Sequence, residues 1–146
     1  MFHIQLRSDT SYKLMAHNTE LGKAGETAAC GFLTSQGYTI LERNYRAGHN
    51  EIDIIAEKLP YIVFVEVKTR GNRISSRYGR PAAAVTAKKR ICLADAAQSY
   101  IKENPSKDRI YRFDVIEVLV CTEKNTGHGY YSFNHMKSVF GAGGKI

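Results

Sequence analysis

From Thr19 onward, Leu21, Gly25, Ala28 and Phe32 recur every three or four residues, the period that gathers small and apolar side chains on one face of a helix. Thr19 can cap this helix and Gly37 can stop it, with Glu26 near its middle. The pattern then changes. Tyr38–Arg46 reads as a strand carrying Ile40 and Tyr45, Gly48-His49-Asn50 is turn chemistry, and Glu51–Ala56 is a second strand. After a short turn at Lys58-Leu59-Pro60, Tyr61–Arg70 has the β-branched and aromatic density of a central strand, and the two strands form a hairpin. A polar loop, Gly71–Gly79, leads to a helical segment within Pro81–Glu103, where Val85, Ile91, Cys92, Ala96 and Tyr100 fall at roughly helical intervals. Thr86 is a candidate cap inside that segment, and Pro105 ends it. Ile110–Val120 is a fourth strand, and Tyr130–Phe133 a short edge strand after the turn-rich stretch 122–129.

The order αβββαβ predicts an α/β fold, a mixed sheet of four to five strands flanked by helices. Residues 1–18 are polar and aperiodic and are expected to be a flexible N-terminal extension. Residues 19–135 then make one domain, and residues 136–146, Gly-rich at their end, a C-terminal tail.

Composition narrows the class. A chain of 146 residues, 43% hydrophobic and 24% charged with three prolines, supports one packed core and is not that of a disordered protein. The longest uninterrupted apolar run is Tyr61–Val65, far short of the roughly 20 residues needed to span a bilayer, so no membrane association is expected. The start, Met1–Arg7, lacks the apolar stretch of a signal peptide, and a cytoplasmic location is expected. Cys30, Cys92 and Cys121 are widely spaced with no Cys-x-x-Cys pair, so they read as small core residues and not as a disulfide or zinc framework.

Chemistry concentrates on the hairpin. Glu66 and Lys68, two apart on a strand, emerge on one face, and Asp53 lies on the neighbouring strand. If the register sets Asp53 beside Glu66, two carboxylates and an ammonium converge on an otherwise apolar sheet, which is costly unless a cation or substrate uses them. All-oxygen ligation suits Mg²⁺ or Mn²⁺, which can polarise a phosphoryl oxygen and acidify a bound water, with the lysine beside it orienting that water. Glu-x-Lys is also a common cross-strand charge pair on exposed strand faces. Here Ile62 and Phe64 share the parity of Glu66 and Lys68, so the charges stand at the end of a buried stripe.

The blocks Gly22-Lys23-Ala24-Gly25-Glu26-Thr27-Ala28-Ala29, Gly37-Tyr38-x-Ile40-Leu41-x-Arg43-Asn44-Tyr45-Arg46, Glu51-Ile52-Asp53-Ile54-Ile55-Ala56, Phe64-Val65-Glu66-Val67-Lys68-Thr69-Arg70, Gly79-x-Pro81, Lys88 and Arg112-Phe113-Asp114-Val115 occur in that order. Together they resemble the YraN-like uncharacterised protein family, regarded as a relative of the restriction-endonuclease-like PD-(D/E)XK nuclease superfamily, over about residues 19–120. The resemblance implies a restriction-endonuclease-like core. It implies Asp53 as the first metal-binding aspartate, Glu66 as the second acidic ligand, the Val67 carbonyl as a further ligand, Lys68 as the catalytic lysine, and Glu26 as a first-helix glutamate supporting the site. The family commonly has Gly-Glu-Ile-Asp, whereas Asn50 precedes Glu51 here and the glycine stands at Gly48. Asn tolerates positive φ almost as Gly does, which lets the turn survive. Asp114 is expected to be structural, paired with Arg112, and His49 to be a turn residue.

The charge balance points to the substrate. The chain carries +7, and eight of its 21 Lys and Arg lie between Lys68 and Arg90 with no Asp or Glu among them, leaving the remainder near neutral. Arg70, Arg73, Arg77, Arg80 and Lys88, with Arg46 counted beside them, are therefore candidate contacts to a nucleic-acid backbone, DNA first. Tyr78 could stack on a base, and no recognition-helix or zinc-finger signature supports base-specific reading. The expected activity is that of a Mg²⁺- or Mn²⁺-dependent endonuclease on DNA phosphodiester bonds, branched or structured DNA by analogy with junction resolvases of the superfamily. The alternative is a non-catalytic nucleic-acid-binding accessory protein on the same fold.

Overall fold

The computed structural model describes residues 3–5, 18–71 and 85–141. Its elements in chain order are β1 (His3–Gln5), α1 (Asn18–Ser35), β2 (Thr39–Ala47), β3 (Asn50–Lys58), β4 (Tyr61–Gly71), α2 (Ala87–Glu103), β5 (Ile110–Thr122) and β6 (Gly129–Phe140). From α1 to β5 this is the expected αβββαβ order, that of a restriction-endonuclease-like core. The strands form one mixed sheet in the order β1-β6-β5-β4-β3-β2. Only β4 and β5 run parallel, because the connection between them is long enough to contain α2, whereas the other pairs are antiparallel.

Each helix covers one face of the sheet. Ala29, Phe32 and Leu33 of α1 pack with Ile54, Val63, Val65, Ile116 and Val118. On the other face Leu93, Ala96, Ala97 and Tyr100 of α2 pack with Ile55, Ile62, Phe64, Phe113 and Val115. The strict alternation of β4, with Ile62 and Phe64 towards α2 and Val63 and Val65 towards α1, accounts for its continuous apolar run: both faces are buried. Among the described residues no helix is long and apolar enough to cross a membrane.

Several boundaries differ from the sequence expectation. α1 starts at Asn18, which puts Thr19 inside the helix. α2 starts at Ala87, with the Thr86 side chain accepting from Lys89 N at 3.2 Å, so the cap is where its chemistry indicated. The β2–β3 turn is Gly48-His49, between the paired residues Ala47 and Asn50, and the positive φ, 61°, belongs to Gly48. Asn50 is an ordinary strand residue, so the displaced glycine itself makes the turn. β6 runs on to Phe140, and His3–Gln5 pairs with Tyr130–Ser132, so the sheet reaches past both expected domain limits, into the segments read as extension and tail. The far half of β6 escaped the hydrophobic pattern because a register shift against β5 and the left-handed Ser138 (φ 53°) break its alternation, with Ser138 N donating to Asp114 Oδ1 at 3.0 Å. The three cysteines are free and half-buried, less enclosed than core residues.

Gly25 sets the height of α1 over the sheet. A Cβ built there would overlap the Thr69 side chain of β4, while one at Gly31, further along the same helix, would meet nothing. Gly25→Ala should therefore destabilise the protein by about 1–3 kcal/mol through overpacking. Gly31→Ala should stabilise it by up to roughly 1 kcal/mol through helix propensity. Urea denaturation of both variants checks the pair of signs.

Candidate functional site

The β3–β4 ladder runs from Lys58 opposite Tyr61 to Ile54 opposite Val65 and stops there, although β3 begins at Asn50 and β4 continues to Gly71. β4 stays paired with β5 as far as Gly71 opposite Val120. Just beyond the last β3–β4 pair, the Val67 N–H is received by a side chain, donating to Asp53 Oδ2 at 2.7 Å. The inside–outside alternation of β3 breaks at the same residue: Ile52 and Ile55 both pack on the α2 side, Ile54 and Ala56 on the α1 side. β2 makes a matching break at Asn44, whose φ is 50°. Arg43 before it donates to Thr27 Oγ1 of α1 at 3.0 Å, and Tyr45 after it packs edge-on against Tyr100 of α2.

Glu66 is 4% exposed and faces two cations. Lys68 Nζ lies 2.9 Å from Oε1, and Lys89 Nζ, from the first turn of α2, lies 3.4 Å from Oε2. Oε2 nevertheless accepts no hydrogen bond, so the Lys89 contact is one of charge without alignment. Asp53 is half-buried, and burial, then the Glu66 charge, push its carboxyl from 3.8 up to about 7, against the lowering effect of the Val67 N–H. Glu26 on α1 is raised as well, first by burial and then by Glu51. With its amide turned to suit these neighbours, Asn44 donates to both Glu26 Oε2 and Glu51 Oε1 at 3.1 Å. Glu26, Asn44 and Glu51 border an open cleft of about 840 Å³, lined also by Lys23, Thr27, Arg43 and Arg46.

Of the residues read from the sequence, Asp53, Glu66 and Lys68 thus come together, and Glu26 stands close enough for its charge to act on Asp53. Val67 joins them through its N–H, a contact separate from the carbonyl expected as a further ligand. Arg46 is exposed and sits 3.4 Å from Glu51, Arg70 is 3.4 Å from Glu117, and Lys88 is exposed on α2. Arg73, Arg77 and Arg80 lie outside the described residues, as does Tyr78. Two participants were missed, Asn44 and Lys89. For Lys89 the signal was available: it lies four residues before Leu93 and so shares the helix face of Leu93, Ala96, Ala97 and Tyr100, which is the face packed on the sheet.

Asp114 is structural, as expected, but with more partners. Its fully buried carboxylate takes two bonds from Arg112 at 2.8 and 2.9 Å and a contact from His135 Nε2 at 2.7 Å, while Arg112 also donates to the Tyr38 hydroxyl at 3.0 Å. Desolvation alone would raise this carboxyl; its hydrogen bonds to His135, Arg112 and Ser138 outweigh that and hold it below the usual aspartate range.

A sequence model of the uncharacterised protein family UPF0102 matches residues 25–118, a span containing Glu26, Asp53, Glu66, Lys68 and Lys89. The chain belongs to this family. It is the YraN-like family that the motif blocks resembled. A UPF0102 protein of Chloroherpeton thalassium is 49% identical over 110 residues, covering 75% of this chain and 83% of the relative. Others, from Clostridium botulinum (strain Loch Maree / Type A3) and Chlorobium phaeobacteroides, are 43% identical over 124 and 122 residues, each covering 84% of this chain.

The Mg²⁺ or Mn²⁺ ion expected from the sequence resemblance sets a demand on the donors present at this site. Among the described residues no group of three or more His, Cys, Asp or Glu side chains is arranged to hold an ion. A metal here would have two side-chain ligands, Asp53 and Glu66, and draw the rest of its shell from water, backbone and substrate. That is the habit of Mg²⁺, which keeps waters and binds through one or two carboxylates. An unsatisfied Glu66 Oε2 and an Asp53 carboxyl crowded by the Glu66 charge are compatible with a shared cation, so the donor set fits one.

The same crowding fixes a pH dependence. Between roughly pH 4 and 7 the folded protein retains an Asp53 proton that the unfolded chain has lost, so this group's contribution to stability falls as pH rises through that window. Asp53→Asn keeps an acceptor for Val67 and removes the repulsion from Glu66. In EDTA at pH 8 it should stabilise the UPF0102 fold by about 1–3 kcal/mol, the gap closing towards pH 4. Thermal denaturation across that range measures it, and a variant less stable than the parent at pH 8 would refute the carboxylate clash.

Proposed function

We propose that this protein is a Mg²⁺- or Mn²⁺-dependent endonuclease that hydrolyses DNA phosphodiester bonds, with branched or structured DNA as the favoured substrate. The observation that carries the reading is the interrupted β3–β4 ladder, which leaves Asp53, Glu66 and Lys68 together where the sheet opens. When bound, the divalent cation would polarise the scissile phosphate and acidify a water. Asp53, anchored by the Val67 N–H, and Glu66, held by the stiff middle strand, would grip it from adjacent strands. Lys68 projects on the Glu66 side of β4, so its ammonium can hold the attacking water or steady charge on the phosphate. Glu26 and Glu51, tied together by Asn44, would give the adjacent cleft negative charge, and Lys23, Arg43 and Arg46, which also line it, positive charge. The +7 charge and the cationic stretch 68–90 give the phosphate backbone its wider footing.

One observation favours the non-catalytic reading. Glu66 already has an ammonium at each oxygen, which also describes a structural ion cluster. Metal uptake and cutting separate the two.

Linear, single-stranded, flapped and four-way DNA incubated with Mg²⁺ and with Mn²⁺ should reveal cutting by the parent. Asp53→Asn and Glu66→Gln should lower it by at least roughly a hundredfold while DNA binding persists. Lys68→Ala should lose cutting by a similar factor yet still take up Mn²⁺, because it removes the group acting on water and spares the ligands. A parent that binds DNA but neither takes up metal nor cuts any of the four substrates is an accessory protein.

A further inference from the structure

Lys68 alone would neutralise Glu66, yet a second ammonium arrives from a different element. The Lys89 stem runs along the packed face of α2, and its Nζ ends 3.4 Å from Glu66 Oε2 without a hydrogen bond. Its exposure differs from that of its partner: the Lys89 side chain is 35% exposed and that of Glu66 5%. Lys89 therefore has a route to solvent that the glutamate lacks, on a four-carbon stem with several rotatable bonds. Its neighbour Lys88 is exposed and forms no ion pair among the described residues. A cation that is close to a buried carboxylate, imperfectly aligned on it and partly in water can change partners at low cost, because it gives up no hydrogen bond in doing so.

We propose that Lys89 is a positioning residue that exchanges partners: it steadies Glu66 in the metal-free protein and turns to a phosphate oxygen of the DNA strand once a divalent cation takes Glu66. This rests on the nuclease reading of the same site. Two consequences have opposite signs, which a merely structural lysine would not produce. Without DNA, Lys89 competes with the metal for Glu66, so removing its charge strengthens metal binding. With DNA, Lys89 contributes one phosphate contact, so removing its charge weakens binding.

Lys89→Met keeps most of the stem and deletes the charge, and Lys89→Arg keeps the charge. Calorimetric titration of the DNA-free full chain with Mn²⁺ should give Lys89→Met an affinity at least roughly threefold above the parent. Lys89→Arg should stay near the parent value, and so should Lys102→Ala at the opposite end of α2. Binding to duplex DNA in Ca²⁺ buffer should weaken for Lys89→Met, with the logarithmic salt slope reduced by about 0.9, and recover in Lys89→Arg. An unchanged or lower Mn²⁺ affinity in Lys89→Met would overturn the exchange and leave Lys89 as a fixed partner of Glu66. A parent that takes up no Mn²⁺ would instead overturn the nuclease reading itself, a result obtained on the parent before any variant is compared.

Discussion

A backbone N–H inside a sheet must be received by something, and at Val67 it is received by the Asp53 carboxylate. That one bond replaces the next rung of the β3–β4 ladder. It lets the two strands part while the Val67 N–H stays bonded at the fork, and it fixes the aspartate beside Glu66 on the neighbouring strand. Everything else in the site depends on this fork. Had the ladder continued, Asp53 would have taken its place in the regular alternation and β4 would have been closed by β3 along its whole length.

The helices then supply what the strands cannot. α1 approaches β4 closely because Gly25 has no side chain to meet Thr69, and the next residue, Glu26, is thereby carried to the cleft. α2, on the other face, contributes Lys89 from its first turn, just after the Thr86 cap. Away from the fork, the buried Asp114 carboxylate ties Arg112 of β5 to His135 and Ser138 of β6. Charges are therefore used in two ways in one small domain. Asp114 is fully satisfied and pulled below its ordinary range, whereas Asp53 is crowded and pushed above it. A satisfied buried charge rigidifies, whereas a crowded one keeps its proton longer and is the more easily perturbed of the two.

The long elements were legible because their periods are clean: α1, the β3–β4 hairpin and the buried face of α2 all follow from spacing alone. Asp53 and Glu66 could be brought together on paper because a short turn leaves little freedom in the hairpin register. The fork itself was not legible, since it arises from a side chain displacing a backbone pairing, an event with no periodicity. The same holds for Asn44, whose φ is positive, and for the second half of β6, where a register shift and the left-handed Ser138 break the apolar alternation. Lys89 was missed for a simpler reason. Counting charge along the chain merged it with its neighbours, whereas the phase of the helix separates it from them.

The two ends of the sheet complete the picture. At one end β6 is partly covered by the three residues of β1. At the other, β2 is an outermost strand of nine residues, long enough to recruit a strand from another molecule. Its register slips between Ile40 and Glu42, and its backbone turns left-handed at Asn44, so it offers no straight run of donors and acceptors. The distortion that aims an amide at Glu26 and Glu51 therefore also guards the domain against edge-to-edge aggregation, and straightening β2 would weaken the site and the colloidal behaviour of the protein together.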